Sequence, residues 1–109
     1  MFPRPDQIAL SCPRLRKALI EGMREGFRQG VAGPFYEGCL YVRPWAFRLE
    51  DITTEIYLWQ GELDVHVPPS MGHYLANAIP HCHATFYANE GHLSLPLNRL
   101  EEILNVFIS

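Results

Sequence analysis

The run Ile56-Tyr57-Leu58-Trp59, closed by Gly61, constrains this chain more than any other feature. It is almost unbroken in apolar side chains, and such runs belong to strands covered on both faces, as in a parallel sheet packed between helices. A second strand-like segment, "HATFYA", follows "VPPSMGHYLANAIP". In that intervening stretch Pro69 suits a first helical turn, Met71, Leu75 and Ala78 or Ile79 share a face, and Pro80 prevents continuation. Two strands joined through one helix imply a right-handed parallel unit. Loops at the carboxyl ends of such strands converge, and ligand sites form there. Asp64 follows the first strand and His92 the second, so both are expected on one edge of the sheet.

The remaining elements are helical. In and just before "SCPRLRKALIEGMREGFRQG" the residues Ile8, Cys12, Leu15, Leu19, Met23 and Phe27 recur at spacings of three or four, which predicts an amphipathic helix over 11–30. Ser11 is placed to cap it, Pro13 suits its first turn and Gly30 its end. Gly22 and Gly26 each cost about 1 kcal/mol against alanine, which predicts close packing against another element. Residues 31–54 show no dominant period and read as an irregular connection with docked aromatics. Leu97, Leu100, Leu104 and Phe107 form one stripe, a C-terminal amphipathic helix. The fold class expected is α/β in a single domain over 1–109, with a strand-helix-strand-helix unit at 55–107.

Composition narrows the functions. The chain has 109 residues, 48% of them hydrophobic and 19% charged, a globular balance. A formal net charge of −3 offers no basic stripe for phosphates, so nucleic acid is not an expected partner. Cys12, Cys39 and Cys82 lack paired spacing, which points to a reducing compartment. "MFPRPDQIAL" contains no signal-peptide core and no run approaches a membrane span, so a cytoplasmic protein without a membrane partner is expected. His66, His73, His81, Cys82 and His83 crowd one region. Adjacent residues on an extended segment point to opposite faces, however, and no H-x-x-x-H or C-x-x-C pair is present, so no metal or other cofactor is expected.

The stretch "WQGELDVHVPPSMGHYLANAIPHCHATFYANEGHLS" resembles the C-terminal part of α/β-hydrolase-fold enzymes. A strand ends in glycine, an acid follows within three residues, a Val-Pro pair precedes a helix and a Gly-His follows the next strand. "PWAFRLEDI" resembles the segment leading into the acid-bearing strand, and the likeness spans roughly residues 17 to 107. The resemblance implies that Asp64 matches the triad acid and His92 the triad base. In that chemistry a carboxylate on one ring nitrogen of the histidine fixes its tautomer and stabilises the imidazolium. The family order is nucleophile, acid, histidine.

The chain departs from the family at the nucleophile. Its serines, Ser11, Ser70, Ser94 and Ser109, all lack the G-x-S-x-G context, and so do its cysteines. The oxyanion-hole segment and the first strands are also missing, so the expectation is a partial α/β-hydrolase fold that is not catalytic alone. Asp64 has a simpler reading as a turn residue after Gly61, since aspartate bonds its own backbone there, and His92 as a helix-capping or partly buried histidine. Tyr36, Tyr41, Trp45, Phe47, Tyr57 and Trp59 are expected in the core or at an interface. A buried-type strand left at a sheet edge needs cover. Either a homo-oligomer or a complementing hydrolase N-terminal segment bearing the nucleophile would supply it.

Overall fold

A computed structural model describes residues 1–108. It is a mixed α/β fold: α1 (Arg4–Leu10), α2 (Pro13–Gly26), α3 (Ala32–Tyr41), a 3-10 turn at Leu49–Asp51, β1 (Ile56–Gly61), α4 (Pro69–Ala78), β2 (Cys82–Tyr87), α5 (Ser94–Asn98) and α6 (Leu100–Ile108). No helix among the described residues is long and apolar enough to cross a membrane.

β1 and β2 pair in parallel, with Ile56 opposite Cys82 and Gly61 opposite Tyr87. The pairing runs past the strand ends, where the Glu62 N–H donates to the Tyr87 carbonyl at 2.9 Å and the Leu63 N–H to the Glu90 carbonyl at 3.0 Å. These bonds explain the glycine that closes β1. A Cβ at Gly61 would collide with the Glu90 carbonyl oxygen, so the close approach of the two post-strand turns requires a residue without a side chain. α4 lies against both strands, and its Gly72 faces the Gln60 side chain at a distance that leaves no space for a Cβ.

Four expectations are corrected. The helix expected over 11–30 is shorter, α2 over Pro13–Gly26, and Ile8 of the expected stripe lies in a separate helix, α1. Pro13 starts α2 as expected, and it drives Cys12 into an extended backbone (ψ 117°) that separates α2 from α1. Ser11 therefore closes α1 instead of capping α2, its hydroxyl donating to the Ile8 carbonyl at 2.5 Å. α2 then ends at Gly26, and Gly30 follows in a left-handed conformation (φ 99°). The connection 31–54 is not wholly irregular, because α3 occupies ten residues of it. The C-terminal helix is interrupted at Arg99, whose φ of −116° separates α5 from α6. Gly22 and Gly26 meet nothing within 4 Å, so no close packing compensates them.

The core is small and lies at one end of the sheet. Ile79 and Leu95 are its buried apolar residues, while Asp6, Gln60, Glu90 and Ser94 are buried polar ones. β1 is not covered on both faces: Tyr57 is exposed, as are Tyr36, Tyr41, Trp45 and Phe47, which therefore lie outside the core. The accessible surface is 8478 Å², against roughly 6200 Å² for a compact chain of this mass. The radius of gyration is 16.1 Å, where about 13 Å is usual.

Two glycines should respond oppositely to substitution. Gly61→Ala should lower stability by about 1–3 kcal/mol, because backbone must move. Gly22→Ala should raise it by about 0.5–1 kcal/mol, since the new methyl meets only solvent and alanine favours the helix. Urea midpoints of the two variants against the parent chain measure both.

Candidate active site

The turns after β1 and β2 bring Asp64 and His92 together. His92 Nδ1 lies 2.9 Å from Asp64 Oδ2, across 28 positions of sequence. A carboxylate can only accept, so Nδ1 carries the proton and Nε2 is left as the basic nitrogen. The Asp64 side chain is 6% exposed and that of His92 46%. The acid is thus withdrawn from solvent while the imidazole is half open.

The other carboxylate oxygen builds the turn. Asp64 Oδ1 accepts the N–H groups of His66 and Val67, each at 2.8 Å. Turn residue and histidine partner are therefore compatible roles, one for each oxygen. Gln60, a residue whose importance the sequence did not disclose, supports the arrangement from the end of β1. Its buried amide donates to the Gly61 and Val67 carbonyls at 3.1 and 3.2 Å and reaches Asp64 Oδ2 at 3.4 Å. A glutamine ending an apolar strand just before the glycine was the available signal.

Burial pushes the Asp64 carboxyl up, and it is the largest single influence on it. The Val67 N–H, the His92 ring and the His66 N–H together outweigh burial and hold the carboxyl below its usual range.

The histidine turn is fixed by a second polar cluster. Buried Glu90 accepts from the Ser94 hydroxyl at 2.6 Å and from Asn98 Nδ2 at 3.2 Å, and Arg99 Nε stands 3.5 Å away. Ser94 Oγ in turn accepts the Gly91 N–H at 2.8 Å. The hydroxyl nearest in sequence to His92 is thus engaged in holding the turn. Arg99 also lies over the Tyr87 ring, and the Tyr87 hydroxyl donates to Glu102.

From the other end of the chain, Asp6 enters beneath His92. Its Oδ2 accepts the His92 N–H at 3.1 Å, and its Oδ1 accepts those of Leu93 and Ser94 at 3.1 and 2.9 Å. His66 packs against the His92 ring with centroids 5.0 Å apart, and Phe2 packs against His66 at 5.4 Å. Neither Asp6 as a neighbour of His92 nor Phe2 as a neighbour of His66 was legible.

The other histidines are dispersed. His73 bonds Glu62 at 3.1 Å and stacks on Phe86, and His83 bonds Glu55 at 2.7 Å and stacks on Tyr57. Among the described residues no group of three or more His, Cys, Asp or Glu side chains is arranged to hold a metal ion. Cys12, Cys39 and Cys82 are free thiols.

Comparison of the chain with protein-family models, with curated proteins and with solved structures yields no match.

The lowered Asp64 carboxyl makes a pH-dependent contribution to stability. The ionised form favours the folded chain, so the contribution is complete above the ordinary carboxyl value of about 4 and is lost as pH falls through the lower folded value. Asp64→Asn should therefore lower stability by about 1–2 kcal/mol at neutral pH. Urea unfolding of the parent and variant over a pH series should show this gap shrinking once pH drops below about 4.

Proposed function

We propose that this chain is the acid-and-histidine portion of an α/β-hydrolase-type serine hydrolase, with Asp64 as acid and His92 as base, and that it does not turn over substrate alone. The observation that carries this reading is the 2.9 Å bond from His92 Nδ1 to a carboxylate only 6% exposed. In that arrangement Nε2 takes a proton from an incoming hydroxyl, and Asp64 stabilises the imidazolium that forms. The substrate class is a carboxylic ester or related acyl compound, whose carbonyl the serine would attack. That serine comes from a separate segment carrying a G-x-S-x-G elbow, since none of the chain's four serines has that context and Ser11 and Ser94 are engaged in bonds to their own turns.

Two features favour completion by another polypeptide segment. Among the described residues β1 pairs only with β2, so its other edge offers backbone donors and acceptors. The excess surface is also of the order of a large protein interface, roughly 2000 Å² or more. A second reading is supported by the apolar stripe of α6. Leu100, Leu104 and Phe107 are 51%, 50% and 73% exposed, and copies of the chain could cover these stripes in one another without any catalysis.

An aryl-ester assay separates the possibilities. The chain alone should show no turnover above buffer. Co-expression with a polypeptide bearing the serine elbow should produce turnover that falls by about 10⁴-fold or more in His92→Ala. Turnover by the chain alone, abolished in His92→Ala, would place the nucleophile within these 109 residues and overturn the proposal. A dimer by light scattering, inactive with every serine-bearing segment tried, would favour the second reading.

A further inference from the structure

We infer that Asp6 is a positioning residue for His92, an inference that rests on reading His92 as the base. Asp6 is fully buried, at 0% exposure, an uncommon place for a carboxylate unless its oxygens are satisfied. They are satisfied by three consecutive backbone N–H groups, those of His92, Leu93 and Ser94, across 86 to 88 positions of sequence.

The two oxygens divide the work. Oδ1 takes the Leu93 and Ser94 N–H groups and so secures the start of α5. Oδ2 takes the N–H of His92 itself. The backbone of the base is thereby held from below while its ring is held at Nδ1 by Asp64. Gly91 completes the fit, because a Cβ there would run into the Asp6 carboxylate. A carboxylate that secured only the helix would have no need of the bond to His92.

Asparagine distinguishes the two functions. In Asp6→Asn the amide oxygen still accepts from Leu93 and Ser94, whereas an NH₂ group faces the His92 N–H and that bond is lost. Proton NMR reads the result through the low-field Nδ1–H resonance expected of a histidine bonded to a carboxylate, and amide exchange reports the backbone bond. In the parent chain the resonance should be present, and it should lose its low-field position in Asp64→Asn. Asp6→Asn, checked for folding by circular dichroism, should shift or broaden this resonance and speed exchange of the His92 amide roughly tenfold, with smaller changes at Leu93 and Ser94.

An unchanged resonance and unchanged His92 exchange in folded Asp6→Asn would overturn the role of Asp6. Absence of the resonance from the parent, or its persistence in Asp64→Asn, would instead overturn the acid-and-base reading. Should Asp6→Asn not fold, amide exchange in the parent decides: protection of the His92 N–H supports the inference, and exchange as fast as an exposed amide overturns it.

Discussion

The parallel pairing of β1 and β2 is the constraint on which everything else at the site depends. Because the strands run the same way and in register, both post-strand turns emerge on one edge. The backbone bonds from Glu62 and Leu63 to the second strand and its turn then weld them together. Side chains alternate along a strand, so a slip of one residue would reverse which of them face α4. It would also remove Gly61 from the position where its missing side chain admits the Glu90 carbonyl. Asp64 and His92 are thus placed by backbone geometry before their own bond is considered.

Around that edge the chain concentrates its burial in polar groups. Asp6 and Ser94 are fully buried, and Glu90 and Gln60 are buried as deeply as the apolar Leu95 and Ile79. Each has partners, as buried polar groups require: Asp6 three N–H donors, Gln60 two carbonyls, and Glu90 the Ser94 and Asn98 side chains. The apolar surface shows the reverse pattern, with Phe35, Tyr41, Trp45 and Phe107 all more than half exposed. Order at the site therefore comes from directional hydrogen bonds, while the hydrophobic faces stay available for association.

Much of this was legible in the sequence, and the gaps have physical causes. The apolar run of β1, the Pro69 start of α4 and the "HATFYA" strand located the parallel unit to within a residue or two. That unit was enough to put Asp64 and His92 on one edge. α3 escaped notice because Gly33, Pro34 and Gly38 break up any apolar period, and the helix buries no residue that would have marked it by a core-facing stripe. Pro13 starts α2 as its position suggested, whereas Ser11 fits either the start of α2 or the close of α1, and only the extended Cys12 between them settles that it closes α1. Asp6 was invisible because its partners lie at the far end of the chain, where no local pattern reaches.

The contact between Asp6 and the histidine turn also closes the chain on itself. α1 docks on α5, while the 3-10 turn at Leu49–Asp51 meets α4 just before β1 begins. Residues 12–48 thus leave the α/β unit and return to it as one long excursion. Closure entropy grows only slowly with length, by about 0.6 kcal/mol per doubling. The excursion could be lengthened, shortened or reshaped at little thermodynamic penalty while both ends of the acid-and-histidine turn stayed anchored. A chain built this way separates a centre tied by hydrogen bonds from a segment whose length can change.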